Sequence, residues 1–189
     1  MLRAYKYRIY PTDEQKVLFA KTFGCCRFVY NWALNLKIEA YRQEKRSVAY
    51  KEVQDRLVNE LKKENQWLAE VNSQALLNSI RNLDIAYKNF FRDTHAVEFP
   101  RFKSRKNRQS FQCPQHCSID FAKGTITIPK AKDIPAVLHR GFKGTVKTVT
   151  VSMTPSGRYF ASILVDTAIQ EQKTSEPVHD TAIGIDLGI

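Results

Sequence analysis

At 189 residues, with 43% hydrophobic and 11% aromatic positions, the chain has enough apolar material for a real core and is not a disordered tail. Its 30 Lys and Arg against 19 Asp and Glu leave a net charge of +11, which points to a polyanionic partner, nucleic acid before an anionic membrane. No apolar run approaches the roughly 18–20 residues of a bilayer-spanning helix, and Met1-Leu2-Arg3-Ala4-Tyr5-Lys6 lacks a signal-peptide pattern, so a cytosolic protein is expected.

Residues 2–10 alternate: Tyr5, Tyr7 and Ile9 against Lys6 and Arg8, the period of a half-exposed strand that Pro11 ends. Thr12-Asp13-Glu14-Gln15 is a capping box, predicting a helix that carries Val17, Leu18, Ala20 and Phe23 and stops at Gly24. A second helix is predicted over 27–45, with Phe28, Val29, Trp32, Leu36 and Tyr41 as its apolar stripe. Helix, glycine and helix outline a helix-turn-helix, although core packing alone accounts for the stripe. A third helix over 49–64 presents Val53, Leu57 and Leu61. A fourth, from Asn72-Ser73 to Arg92, places Leu76, Ile80, Leu83, Tyr87 and Phe90 at a 3.6-residue period. Its opposite face holds Asn78, Arg81, Asn82, Lys88 and Arg92, suited to phosphates and base edges or simply to solvent.

Composition shifts after Thr94. From Arg101 to Arg108 five cations fall within eight residues, flanked by Phe99 and Phe102 before and Phe111 after. Cations interleaved with aromatics suit a nucleic-acid strand, charge meeting phosphate while rings meet bases; Arg101, Lys103 and Arg105 are the candidates. Two hairpins are then predicted: 111–121 with 125–128, and 145–153 with 158–165 about the turn Pro155-Ser156-Gly157. Residues 166–181 read as a linker. The element order implies an α+β fold in which the first strand joins the later strands in a small antiparallel barrel, with the helices as an inserted lobe.

The four cysteines form two close pairs, Cys25-Cys26 and Cys113/Cys117. Free thiols are expected; Cys113, His116 and Cys117 have the residue types of a zinc site but no matching second half. The last residues, Ala182-Ile183-Gly184-Ile185-Asp186-Leu187-Gly188-Ile189, read as a buried strand presenting one carboxylate, which is how a two-metal nuclease site begins. The same Gly-Ile-Asp-Leu-Gly opens the phosphate strand of actin-like ATPases, but there the motif lies near the N-terminus and threonine usually follows, where Ile189 stands here.

Five ordered segments then coincide: Lys6-Tyr7-Arg8-Ile9-Tyr10-Pro11-Thr12, Arg27-Phe28-Val29-Tyr30-Asn31-Trp32, Ala86-Tyr87-Lys88-Asn89-Phe90-Phe91, Phe99-Pro100-Arg101-Phe102-Lys103 and Gly184-Ile185-Asp186-Leu187-Gly188. Together they resemble the OrfB/TnpB-type transposases of bacterial insertion sequences. That resemblance implies a wedge-type (OB-like) barrel from residues 1–11 and 94–166, and a helical recognition lobe of the helix-turn-helix type over 12–93. It also implies a linker over 167–181 and, from 182–189, the first strand of a RuvC-like, RNase H-fold nuclease. The partners it implies are guide RNA and double-stranded DNA, with no membrane and no small-molecule substrate. Lys6, Arg8, Arg27 and Asn31 lie in the matched segments, and Tyr50, Ser73 and Leu77 match positions near the target-adjacent motif. Ser73 and Leu77 depart from the longer polar side chains of some members. Asp186 matches the first Mg²⁺ ligand; the other acids and the zinc ribbon have no counterpart, so this chain is expected to bind no metal and to cut nothing alone. A free-standing repressor or decayed transposase remnant is the alternative.

Overall fold

The computed structural model describes residues 1–93, 95–106 and 108–167. Strand β1 (Leu2–Ile9) follows its alternation: Tyr7 and Ile9 are buried, while Lys6 is exposed and Arg8 half-buried on the other face. Thr12 caps helix α1 (Asp13–Glu44). Its hydroxyl accepts from the Gln15 amide at 3.3 Å, and the Gln15 side chain accepts from the Thr12 amide at 3.0 Å.

The break predicted at Gly24 does not occur, and α1 runs unbroken for 32 residues. Glycine in a helix costs about 1 kcal/mol relative to alanine. Burying one large apolar side chain returns about 1.5–3 kcal/mol. Here Phe19, Phe23, Cys25, Cys26 and Val29 are all buried on either side of the glycine, so tertiary packing carries the helix through. A Cβ at Gly24 meets nothing within 4 Å. Gly24→Ala is expected to stabilise the fold by about 0.5–1 kcal/mol in urea unfolding.

The predicted third helix is instead a composite: α2 (Tyr50–Arg56), a π-helical turn (Leu57–Leu61) and α3 (Lys62–Glu64), with Val53, Leu57 and Leu61 buried. A 3₁₀ turn (Gln66–Glu70) leads to α4 (Ser73–Arg92), whose cap Asn72 accepts from the amides of Gln74 and Ala75. Helix α4 buries Ala75, Leu76, Ser79, Ile80 and Leu83, the face its period predicted.

The remaining strands are β2 (Gln109–Cys113), β3 (Ser118–Asp120), β4 (Thr125–Ile128), β5 (Ala131–Val137), β6 (Thr145–Met153) and β7 (Tyr159–Asp166). With β1 they form one antiparallel sheet ordered β2-β6-β7-β1-β5-β4-β3. The first strand pairs with β7 and β5, as the element order required. Two expectations are corrected, and one strand was not anticipated. The sheet is open, not a closed barrel, with β2 and β3 as its edges. Residues 111–121 are not one strand but two, separated where His116 turns left-handed (φ 57°). Those two strands occupy opposite edges, yet four residues join them, a span of at most about 17 Å, so the sheet curls to bring its edges toward one another at one corner. Finally, β5 is a strand that periodicity does not reveal: Pro135, a left-handed Asp133 and a bulge against β4 erase its alternation.

The helices share the core with the sheet. Phe19 meets Phe111 and Tyr159 at ring distances of 5.7 and 5.9 Å, and Phe23 meets Phe111 at 5.3 Å. The chain start is tied to β7, with the Met1 amino group 3.5 Å from the Asp166 carboxylate. Next to that closure Gly144 has φ +140°, and a Cβ there would lie 2.3 Å from the Asp166 carbonyl oxygen. Gly144→Ala therefore combines a backbone clash with a disfavoured φ and is expected to lower stability by about 2–4 kcal/mol, read as a fall in the urea midpoint.

Candidate nucleic-acid interface

The basic segment after α4 is held against α1 by Asn31. The Asn31 amide donates to the Lys103 carbonyl at 3.0 Å and accepts from the Lys103 N–H at 2.8 Å. One turn earlier, the Arg27 guanidinium donates to the Gln109 side chain at 2.7 Å, and Gln109 donates back to the carbonyls of Ser104 and Arg105. The Lys103 ammonium rests 4.1 Å from the centre of the Tyr30 ring, where desolvation lowers its pKa. Between α1 and this segment lies a groove of about 220 Å³ lined by Phe23, Cys26, Arg27, Lys103, Ser104, Arg108, Gln109 and Ser110. Three cations and two hydroxyls thus converge on one concave surface. Asn31→Ala would remove both backbone tethers, each worth about 1 kcal/mol. Tryptic cleavage at Arg101 and Lys103 is expected to accelerate by roughly tenfold, with little change in the global unfolding midpoint.

Aromatic rings border the cations. Tyr87 and Phe90 both meet Phe99 edge-on at 5.4 Å, and Phe91, Phe99 and Phe102 are exposed by 71%, 42% and 52%. Large rings left this open, beside Arg92, Arg101 and Lys103, have the composition of a base-stacking surface.

The sheet face opposite Tyr7 and Ile9 carries two rows of residues that are half-buried, apart from exposed Ser110 and Lys6 and buried Ser152. Residues opposite one another in an antiparallel ladder project to the same side. Register therefore aligns Ser110, Ser152, Phe160 and Arg8 in one row, and Gln112, Thr150, Ser162 and Lys6 in the next. The first row begins at the groove; the second begins where Asn82 of α4 donates to Gln112 at 3.3 Å. Each row crosses three strand spacings, about 14 Å. Lys6 lies 4.6 Å from the Phe160 ring centre, and Arg8 lies 5.3 Å from Phe160 and 5.4 Å from Tyr10. The Arg8 Nε is buried without a hydrogen-bond partner.

Elsewhere the candidates scatter. Arg81, Lys88 and Arg92 are exposed on α4 and Asn78 is half-buried; Lys88 pairs with Asp84 at 2.9 Å. Arg101 pairs with Glu98 at 2.9 Å, and Arg105 is exposed. Ser73 accepts from the Lys62 ammonium at 2.9 Å, while Tyr50 and Leu77 pack against the core. None of these three lines the groove. Asp186 lies outside the described residues. Sequence reasoning missed Phe160 as the platform under Lys6 and Arg8, and missed the groove role of Arg108 and Ser110. Strand register was the signal for Phe160 and Ser110, whereas Arg108 already stood in the basic run.

Among the described residues no group of three His, Cys, Asp or Glu could hold a metal ion, the run from Cys113 to Cys117 included, and no helix is long and apolar enough to cross a membrane.

Residues 1–46, which span β1 and all of α1, match the helix-turn-helix domain of the OrfB IS605 type. The chain is 37% identical over 193 residues to a protein of Streptomyces pristinaespiralis provisionally named an RNA-guided DNA endonuclease, covering 99% of this chain and 46% of that one. It is 35% identical over 191 residues to InsQ of Escherichia coli (strain K12), which carries the same provisional description, covering 100% and 46%. Over 116 residues it is 35% identical to the virulence protein VsdF of Salmonella dublin, covering 57% of this chain and 98% of that protein. The chain spans about half the length of the first two relatives. On these matches, which run through β1, α1 and the rest of the described fold, the chain belongs to the OrfB/TnpB-type family of insertion-sequence transposases.

Proposed function

We propose that this chain is the N-terminal nucleic-acid-binding part of a transposon-encoded, RNA-guided DNA endonuclease, holding guide RNA and target-adjacent duplex DNA. The observation that carries this reading is the convergence of Arg27, Lys103 and Arg108 on one groove, from which the row Ser110, Ser152, Phe160 and Arg8 leads across the sheet. A phosphate backbone laid in the groove would meet three cations, and the exposed rings of Phe91, Phe99 and Phe102 are the stacking partners assigned to its bases. An arginine with an orphaned buried Nε is costly by about 1–3 kcal/mol. That cost is sensible where the guanidinium is kept in place for a ligand. The exposed cations of α4, Arg81, Lys88 and Arg92, and the residues Tyr50, Ser73, Leu77 and Asn78 are assigned to the duplex.

In this reading Asp186 supplies one carboxylate to the Mg²⁺ centre of a RuvC-like domain. One acid does not make that centre, and the described residues provide no other cluster, so no cleavage step is assigned to this chain. Binding of labelled oligouridine and of duplex DNA across a KCl series tests the proposal. Each phosphate contact contributes about 0.7 to the log–log salt slope for a single strand and about 0.9 for duplex. A slope steeper than about −2 for RNA is expected from the three groove cations alone. A slope near zero would overturn the reading, and steep binding of duplex with none of RNA would favour a plain DNA-binding repressor.

A further inference from the structure

Four residues, 114–117, connect the two edge strands of the sheet, and a cysteine stands at each end: Cys113 closes β2 and Cys117 precedes β3. The Cys117 thiol donates to the Cys113 carbonyl oxygen at 3.4 Å, which folds its sulfur back over the Cys113 backbone. Cys113 itself is paired with Val149 on the neighbouring strand, so its position is fixed by the sheet. Of the four cysteines, Cys25, Cys26 and Cys113 are buried and Cys117 is partly open. Cys25 and Cys26 are neighbours within α1, where successive side chains diverge and a disulfide between them would break the helix.

We propose that Cys117 and Cys113 form a reversible intramolecular disulfide when the protein meets a hydroperoxide. The Cys117 thiolate attacks one peroxide oxygen; the O–O bond breaks, the sulfur becomes a sulfenic acid, and the departing oxygen takes a proton and leaves as water or alcohol. The Cys113 sulfur then attacks the Cys117 sulfur. The S–S bond forms, the S–O bond breaks, and hydroxide leaves as water with the Cys113 proton. Two thiols are oxidised by two electrons, and the peroxide is reduced by the same two.

Exposure sorts the thiols into these roles. Cys117 is partly open to solvent, where a small peroxide can reach it, while Cys113 is buried and can be reached only from within the turn. Burial also pushes Cys26 up to about 11, away from the reactive range. The attacking sulfur is therefore Cys117 and the resolving sulfur Cys113. The bond would close the corner where the open sheet's edges approach one another, at the far end of the strand whose first residue, Gln109, is held by Arg27. This inference does not depend on the nucleic-acid reading.

Peptide mapping after hydrogen peroxide tests it. Both cysteines fall in one tryptic peptide, 109–123. The expected result is loss of two of the four thiols, with that peptide lighter by two hydrogens, closed to iodoacetamide and restored by dithiothreitol. Cys117→Ser should abolish the loss, and Cys113→Ser should leave a sulfenic acid on Cys117 that dimedone traps. Peroxide that leaves both cysteines open to alkylation, or that oxidises Cys25 and Cys26 instead, would overturn the proposal.

Discussion

Changing Arg27, Lys103 and Arg108 together to glutamine is expected to weaken oligouridine binding by about 50-fold at physiological salt and to flatten the salt slope by about two units. The three side chains line one groove. Each phosphate contact with a single strand adds about 0.7 to the slope, so three account for about two units, and that difference carried down from molar salt yields the loss in affinity. Glutamine removes the charge and keeps a polar hydrogen-bonding amide, and an unchanged urea midpoint checks that the shorter side chains leave the fold intact. Arg42 and Lys51, engaged with Glu39 and Asp55 away from the groove, are the comparison pair, and their replacement by glutamine should leave the slope unchanged. Equal flattening by both sets would mean that diffuse net charge, not the groove, holds the strand.

The second large effect concerns the fold. Phe19 is fully buried and joins α1 to both β2 and β7 through Phe111 and Tyr159. Phe19→Ala should destabilise the protein by about 3–5 kcal/mol, the transfer of the ring plus the cavity left behind. Native domains hold only about 5–15 kcal/mol, so the urea midpoint should fall steeply at unchanged slope. Val17, two residues earlier and 57% exposed, is the contrast: Val17→Ala should stay within about 0.5 kcal/mol. Comparable losses at both positions would mean that α1 is not docked on the sheet through Phe19.

These two sites differ in how far the residues alone disclosed them. The apolar period of α4 predicted its buried face from Leu76 to Leu83, and the alternation of β1 predicted Tyr7 and Ile9 inside with Lys6 and Arg8 outside. Local patterns suffice where one face of an element is core. They failed at Gly24, because a glycine signals a stop only when tertiary contacts do not outweigh its roughly 1 kcal/mol penalty. They failed at β5, where Pro135 and Asp133 hide a strand that exists by pairing with β1 and β4. The groove was half legible. Its cations stand out in the basic run, but Asn31, a nucleic-acid contact by its place in a matched segment, spends its amide on the Lys103 backbone. That pairing spans 72 residues, and no local spacing encodes it. The Phe160 platform likewise follows from strand register, which sequence period fixes by face but not by partner.

Photo-crosslinking tests the central claim most directly. Oligouridine carrying 4-thiouridine would be irradiated with the protein and the attached peptides identified. Crosslinks at Phe99, Phe102, Lys103 and the Phe160 row are predicted. Crosslinks confined to β3, β4 and β5, with residues 99–110 unmarked, would contradict the assignment of this surface to nucleic acid.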